Sequence, residues 1–389
     1  MIVQPDDIDS STIDENGVLK VSGGTSLDAI MKKYVPNGYF VPVTPGTRFV
    51  TIGGAIAADI HGKNHHISGS FVDHVNTMQL AAPSGNFNLS ATENADIFWA
   101  TAGGMGLTGV ITMASLNMLP IETAYINMET RRAKDFDELL SVMAGSDADF
   151  RYSVAWIDCI AKGASMGRGV LTRGDHASLD QLGPKQKIDP LKYRPNSRLV
   201  APPWFPPHIL NSMSVRAFNE AWFLKAPQLR QDQIVPLTSY FHPLDGIQGW
   251  NRMYGRNGFL QYQFLVPDGE EEALRKILEK ISKAKVASFL AVLKRFGKAN
   301  SGLLSFPAPG WTLALDIPVG ASSLSDLLDE LDKDVLEANG KLYLAKESRA
   351  SCDTIKQMYP KLKEFSRIKE ITDPNGIIVS DLSRRLCLT

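Results

Sequence analysis

The stretch Val41–His74, VPVTPGTRFVTIGGAIAADIHGKNHHISGSFVDH, decides how the rest of the chain is read. It carries two glycine turns, Pro45-Gly46-Thr47 and Gly53-Gly54-Ala55, and a run of small residues to Ala58. Asp59, His61, Gly62, Lys63, Asn64, His65 and His66 follow. Small side chains let backbone amides approach a bound anion or ring, and glycine reaches positive φ without strain. Alone, a GG-A-x-A-A run is equally a tight loop leading into a helix. The HGKNHH tail shifts that balance: three histidines, a lysine and an asparagine behind small residues are costly to bury and more readily explained by a ligand than by packing. Zinc is the rival ligand, but no second group of Cys or acidic ligands lies nearby and the spacing is not HExxH, so no metal is expected.

Upstream, Gly17–Val21 alternates like a strand, and Thr25 or Ser26 caps a short helix over Leu27–Tyr34. Pro36-Asn37-Gly38 then turns the chain into Phe40-Val41-Pro42-Val43, a β-α-β approach to the first glycine turn. Downstream, Val75–Leu80 and Asn86–Leu89 read as a hairpin about Pro83-Ser84-Gly85. Asp96–Ala100 leads into the second glycine-rich run, Ala102–Gly109, where the backbone again must approach something closely. This GGxGLTG is not the spaced Rossmann fingerprint.

The 389 residues, 44% hydrophobic and 21% charged, suit about two domains with sizeable cores. A net charge of −1 gives no electrostatic footprint for nucleic acid. Cys159, Cys352 and Cys387 are far apart and odd in number, and are read as ordinary thiols. The first residues are acidic and polar and no run of 18 apolar residues occurs, so neither a signal peptide nor a membrane span is read, and membrane contact would be peripheral.

From about Thr123 the elements lengthen. Tyr152–Ile157 and Tyr262–Val266 read as strands of a half-buried sheet, as do Phe289–Phe296 and Leu313–Ile317. Gly269–Val286 and Leu324–Leu336 place apolar residues at helical spacing, the second stopped by Asn339-Gly340, so a sheet with helices on one face is expected. Arg194–Leu210, with Trp204 and Phe205 between Pro pairs, is neither helix nor central strand; it is a rigid connector or a lid or lipid-facing lip.

Residues 41–74, DIFWATAGGMGLTGVI from Asp96, FHPLD from Phe241, Trp250-Asn251-Arg252, GFLQYQF from Gly258, LSFPAPGW from Leu304 and KLYLAKESR from Lys341 together closely resemble the flavoprotein subunits of decaprenylphosphoryl-β-D-ribose 2-epimerases, within the vanillyl-alcohol-oxidase type of FAD enzymes. The resemblance spans nearly the whole chain. It implies an α+β, two-domain flavoprotein: an FAD-binding domain over 1–122, a substrate (cap) domain with an antiparallel sheet and flanking helices over 123–340, and a return to the FAD-binding domain over 341–389. It implies FAD against Pro45, Gly46, Thr47, Thr51, Ile52, Gly53, Gly54, Ala58, Asp59, Ile60, His61, Ile111 and Tyr343. The family has a further Gly- and Arg-rich FAD loop upstream with no counterpart in residues 1–42. A late chain start, a loop supplied by another chain, or weak FAD binding would each account for this.

No side chain accepts a hydride, so the chemistry requires a cofactor. By resemblance the reaction is oxidation of the C2 hydroxyl of decaprenylphosphoryl-ribose to a 2-keto sugar, which a partner NAD(P)H-dependent keto-reductase reduces to the arabinose donor for cell-wall arabinan. Lys346 is the foremost catalytic candidate, expected to end a strand and stabilise an alkoxide. Gln263 is a polar contact to substrate and flavin, and His61 either orients the flavin or acts as a base. Lys63 and Lys294 are candidates for the substrate's phosphate, and Trp311 for packing near the sugar. Ala314 stands where some family members carry a cysteine, so thiol-directed inhibitors should not trap this site. The implied setting is the cell envelope, peripheral to the plasma membrane; the periplasmic side is favoured by resemblance and not fixed by sequence. A dioxygen-using sugar-lactone or alditol oxidase and a truncated, cofactor-free binding partner are the alternatives.

Overall fold

The computed structural model describes residues 8–195, 199–202, 212–286, 288, 290–320 and 323–388. The first sheet is five-stranded and antiparallel. Its strands are β1 (Thr12–Ile13), β2 (Val18–Ser22), β3 (Val75–Ala82), β4 (Gly85–Ser90) and β5 (Val110–Asn117), in the order β1-β2-β5-β3-β4. Helix α1 (Leu27–Tyr34) follows β2; the Ser26 side chain accepts the Ala29 N–H at 3.2 Å and fixes its start. Short helix α2 (Ile52–Ala57) starts in the same way, with Thr51 accepting the Gly54 N–H. Of the stretch Phe40–Val43, only Phe40 lies in a strand: Tyr39–Phe40 pairs with Leu119–Pro120. Helix α3 (Ala95–Thr101) precedes the second glycine run.

The larger sheet has eight antiparallel strands: β6 (Tyr125–Ala133), β7 (Tyr152–Ile157), β8 (Gly169–His176), β9 (Leu229–Pro236), β10 (Phe259–Pro267), β11 (Ala291–Phe296), β12 (Gly310–Pro318) and β13 (Lys341–Leu342). Their order is β9-β6-β8-β7-β11-β12-β10-β13. Helices α4 (Phe136–Ser146), α6 (Glu271–Lys283) and α7 (Leu324–Glu337) lie on one face of it, and α5 (Ser212–Lys225) precedes β9. Leu274, Ile277, Leu278 and Ile281 of α6 are all buried, as the helical spacing requires. Helix α7 ends where Asn339 takes a left-handed φ of 54°.

The chain closes with α8 (Cys352–Met358), α9 (Leu362–Thr372) and α10 (Asp381–Leu386). Helix α9 packs against α3 and its Thr372 carbonyl accepts the Ser84 N–H, so the tail returns to the N-terminal region. One expectation changes here. Cys352 and Cys387 are not ordinary thiols: their Cα atoms are 5.5 Å apart and they form a disulfide that ties α8 to the end of α10, leaving Cys159 free and buried. Thirty-five residues of separation hid a pairing that only the fold of the tail brings about. Trp204, Phe205 and most of the proline-rich connector lie outside the described residues, as does Phe289; Leu199–Val200 pairs in parallel with Ile247–Gln248.

Candidate active site

Strand periodicity sets the site. Side chains alternate across a sheet, so Gln261 and Gln263 on β10, Thr312, Ala314 and Asp316 on β12, and Val292, Lys294 and Phe296 on β11 share the face turned away from the helices, the pairs Gln263–Ala314 and Lys294–Thr312 fixing the register. The His61–Lys63 segment of the N-terminal region is laid on that face: the Ser153 N–H donates to the Lys63 carbonyl at 2.8 Å, and the His61 ring contacts Phe296, Phe306 and Tyr343 at centroid distances of 4.8, 5.6 and 5.0 Å.

Within this aromatic box the hydrogen bonds have a defined direction. Thr312 donates its hydroxyl proton to the Phe264 carbonyl (2.9 Å), so its oxygen accepts from the Gln263 amide (3.0 Å). The same Gln263 Nε2 lies 2.9 Å from His61 Nε2, which therefore accepts and leaves the imidazole proton on Nδ1. His61 Nδ1 and Gln263 Oε1 are buried with no hydrogen-bond partner, one a donor and the other an acceptor. Burial, then Lys294, Lys346 and His65, hold the His61 pKa well below its ordinary value, so the ring is neutral.

Three half-buried lysines converge on the same space. Lys63 donates to the Tyr240 carbonyl and its ammonium lies 4.1 Å from the centre of the Tyr240 ring; burial pushes its pKa down to about 7. Lys294 is also pushed down to about 7, by burial and then by Lys346 and Lys63. Lys346 is lowered by burial, against which only the Asp316 carboxylate acts. Asp316 itself accepts from Gln261 at 2.8 Å and is raised by burial. Lys346 does not end a strand as expected: β13 stops at Leu342, and Lys346 sits in a turn closed by its own N–H on the Tyr343 carbonyl at 3.0 Å. Tyr343 donates to the Ala58 carbonyl at 3.0 Å and stacks on Phe306, which joins that turn to the glycine-rich stretch.

Other expected residues are placed elsewhere. Trp311 is one position out of phase with Thr312, so it faces the helices, donating to Glu271 of α6 at 3.0 Å beneath Arg295, and is not brought to the space around Lys346. The histidine cluster is mostly structural: His65 Nδ1 accepts the Gly297 N–H, His66 Nε2 bonds the Asp147 and Phe150 carbonyls, and Asn64 donates to the Pro42 carbonyl. Asp59, at φ 38°, accepts from Val72 N, Asn300 and Ser305 and joins the stretch to the 300–305 loop. Of the glycines, Gly53 donates to the Gly23 carbonyl, where a Cβ on Gly23 would fall 2.0 Å from the Ile111 carbonyl oxygen; Ile111 and Gly53 thus meet through close backbone packing. Gly103, at φ 73°, donates to the Ile56 carbonyl and a Cβ on it would meet the Ser305 backbone at 3.0 Å, so the second glycine run approaches protein at Gly103, Gly104 and Gly109 and opens only at Gly106. Ile52 and Ile60 are core residues.

The turn Pro45-Gly46-Thr47 is held from beneath. Asp245 of the FHPLD segment accepts from Thr47 Oγ1, Arg48 N and Arg48 Nη1, Arg48 also pairs with Asp28 at 2.6 Å, and Thr44 Oγ1 lies 2.8 Å from His242 Nε2. The upper side of the stretch is open: Gly46 and Gly54 are exposed, Pro45, Thr47, Thr51, Gly53 and Ala58 half-buried, and nothing lies within 4 Å of a Cβ built on Gly46.

An open line of small residues that ends at a buried donor and a buried acceptor without partners fits a long planar cofactor. Residues 6–90 match the family model described as an FAD binding domain. Over 384 residues the chain is 44% identical to the decaprenylphosphoryl-beta-D-ribose oxidase of Mycolicibacterium smegmatis, covering 98% of this chain and 82% of that protein. The chain belongs to the FAD-binding flavoproteins of the vanillyl-alcohol-oxidase type. It is an FAD-linked oxidoreductase, and FAD is its cofactor. An uncharacterized protein in the mprA 5' region of Streptomyces coelicolor is 36% identical over 372 residues, 93% of this flavoprotein and 100% of that one. A D-lactate dehydrogenase of Anaerostipes hadrus is 28% identical over 120 residues, 29% and 25% of the two chains. Reading from sequence alone missed Thr312, Asp316, Phe296 and Phe306; the period-two alternation with Gln263 and Lys294 was the available signal for the first three.

Proposed function

We propose that this flavoprotein oxidises the C2 hydroxyl of a polyprenylphosphoryl ribose of the decaprenyl type to the 2-keto sugar, the first half of an epimerisation that a separate NAD(P)H-dependent keto-reductase completes. The observation that carries the reading is the group Lys63, Lys294 and Lys346, three desolvated cations beside one facing carboxylate, Asp316. Such an excess of positive charge is unfavourable until an anion enters, and a sugar phosphate brings that anion with the alcohol attached. The name of the mycolicibacterial relative supplies the sugar and lipid class.

FAD, when bound, supplies the acceptor for the carbinol hydride. The side chains do the rest. Lys63 and Lys294 hold the phosphate, which restores their charge. The Lys346 ammonium, partnered by Asp316, stabilises the negative charge that develops on the C2 oxygen as the hydroxyl proton leaves to solvent. Gln263, locked by Thr312, turns Oε1 toward the reacting group, and His61 offers its Nδ1–H as an orienting donor rather than acting as a base, because its Nε2 lone pair is already engaged. The N-terminal run from Pro45 to Ala58, with Ile111 and Tyr343, lines the FAD. No helix among the described residues is long and apolar enough to cross a membrane. The lipid tail of the proposed substrate would bring the reaction to the surface of the plasma membrane.

The test is anaerobic incubation of the FAD-loaded protein with a prenylphosphoryl ribose deuterated at C2. The reading expects loss of flavin colour slowed by the deuterium and a product lighter by the carbinol deuterium and the hydroxyl hydrogen. Unchanged flavin colour with this substrate, alongside rapid bleaching by free alditols or sugar lactones, would reject it.

A further inference from the structure

The residues that follow Lys346 form a lock. Glu347 is buried and its Oε1 accepts the backbone N–H groups of Arg349 and Ala350, closing the turn immediately after Lys346. Its Oε2 accepts from Arg385 of α10 at 2.6 Å, and Arg385 also donates to the Glu347 and Ala350 carbonyls at 3.3 Å. Arg349 reaches the other way, to Asp329 and Asp332 of α7, and Asp332 in turn accepts the Tyr262 hydroxyl at 2.8 Å beneath β10. Helix α10 is itself tied down beside this turn by the Cys352–Cys387 disulfide and starts on a Ser380 cap. A buried carboxylate that accepts two backbone donors and a guanidinium fixes the path of the chain far more tightly than a surface ion pair does. These hydrogen bonds converge on the four residues after Lys346.

We propose that the C-terminal helix α10 is part of the catalytic apparatus at one remove: through Arg385 and Glu347, stapled by the disulfide, it positions the Lys346 ammonium over the reacting space. Glu347 and Arg385 are positioning residues, and the proposal rests on the catalytic reading of Lys346. It assigns the Glu-Ser-Arg of the KLYLAKESR stretch a role distinct from the lysine it follows. Two readings of Glu347 predict opposite signs. A carboxylate acting only through its charge would weaken the positive field at Lys346, so its removal would strengthen anion capture. A carboxylate acting as a clamp would weaken anion capture when removed, because the lysine is released.

The experiment titrates sulfite into the FAD holoenzyme and reads the loss of oxidised-flavin absorbance, a measure of the cationic field at the flavin that does not depend on turnover. K346M is the control for the underlying reading and should weaken sulfite capture about tenfold or more, a 1.4 kcal/mol effect. E347Q and R385M should each weaken it by about a third to the whole of that effect on a logarithmic scale, while flavin content stays at the wild-type level. Reduction of the disulfide by a phosphine should shift capture in the same direction, by less. Unchanged or tighter sulfite capture in E347Q and R385M, with K346M still weakened, overturns the positioning role; a melting temperature that falls in those variants without any change in capture shows a purely structural clamp and overturns it equally. No effect in K346M overturns the reading of Lys346 itself, and with it this proposal.

Discussion

Two groups of cations withdrawn from water, one beneath the first glycine turn and one around Lys346, are built in opposite ways. Beneath the first glycine turn, Arg48 is buried between Asp28 and Asp245 and Lys32 pairs with Asp28 at 2.6 Å, two cations for two carboxylates, with Thr47 and the Arg48 backbone N–H completing the hydrogen bonds. Around Lys346 the balance is lost: Lys294 is pushed down by both Lys346 and Lys63, and of the three lysines only Lys346 has a carboxylate, Asp316, acting on it. The first arrangement is complete in itself and holds the Pro45-Gly46-Thr47 turn in place. The second is complete only with an anion. Desolvated charge therefore marks function here by its imbalance and not by its presence, since the fully matched group has no charge left for a ligand.

The sharpest way to break the comparison is to remove one partner from the matched group. Asp245→Ala leaves Arg48 with Asp28 alone and unpins the turn, and should cost about 3–5 kcal/mol of stability in urea melts together with FAD retention. Next in size is the unmatched group: Lys346→Met should slow flavin reduction by substrate about a hundred- to a thousandfold while leaving stability unchanged or higher, because a desolvated cation among like charges is removed. Equal loss of stability in both variants would erase the distinction. Lys294→Met is a smaller change, expected to weaken prenyl phosphate binding about tenfold with a lesser effect on the maximal rate, read by titrating flavin bleaching.

The pH dependence gives the smallest effect and a definite sign. Lys63 and Lys294 titrate at about 7 in the fold against 10.5 when free, so between these values the unfolded chain binds more protons. Stability of the ligand-free protein should therefore rise with pH across that window; below it the penalty of charging the buried lysines is fully present and adds no slope. Phosphate binding needs the charged forms and should weaken as pH climbs above about 7 for the same reason. Thermal melts of wild type and Lys294→Met across this range check the first statement: the variant should show the shallower slope.

Much of the fold was legible in the sequence. The helices over Leu27–Tyr34, 271–283 and 324–337, the 75–90 hairpin and the strand Tyr152–Ile157 follow from caps, apolar spacing and β-branched content, which act locally. The site was legible in part. Gln263 and Lys346 stood out through motif resemblance and Lys294 as a candidate phosphate contact, yet what sets Gln263 and Lys294 on one face is the register of β10, β11 and β12, which no local signal fixes. Trp311 shows the cost of ignoring the strand period, since a shift of one residue puts a side chain on the other face. Only the second half of the HGKNHH run misled: His65, His66 and Asn64 are satisfied by carbonyls and an N–H that arrive from Asp147, Phe150, Pro42 and Gly297, distant in sequence, while His61 and Lys63 belong to the candidate site. The disulfide escaped notice likewise, because its cysteines meet only once α8 and α10 pack together.

The central claim is that the unmatched lysines read a phosphate carried by the sugar substrate. It is tested most directly by comparing anaerobic flavin reduction by a prenylphosphoryl ribose with that by the corresponding prenyl riboside lacking the phosphate. The account predicts rapid bleaching by the first, bleaching slower by at least about tenfold with the second at equal concentration, and loss of that difference in Lys294→Met. Equal rates for the two compounds in the wild-type protein would contradict it.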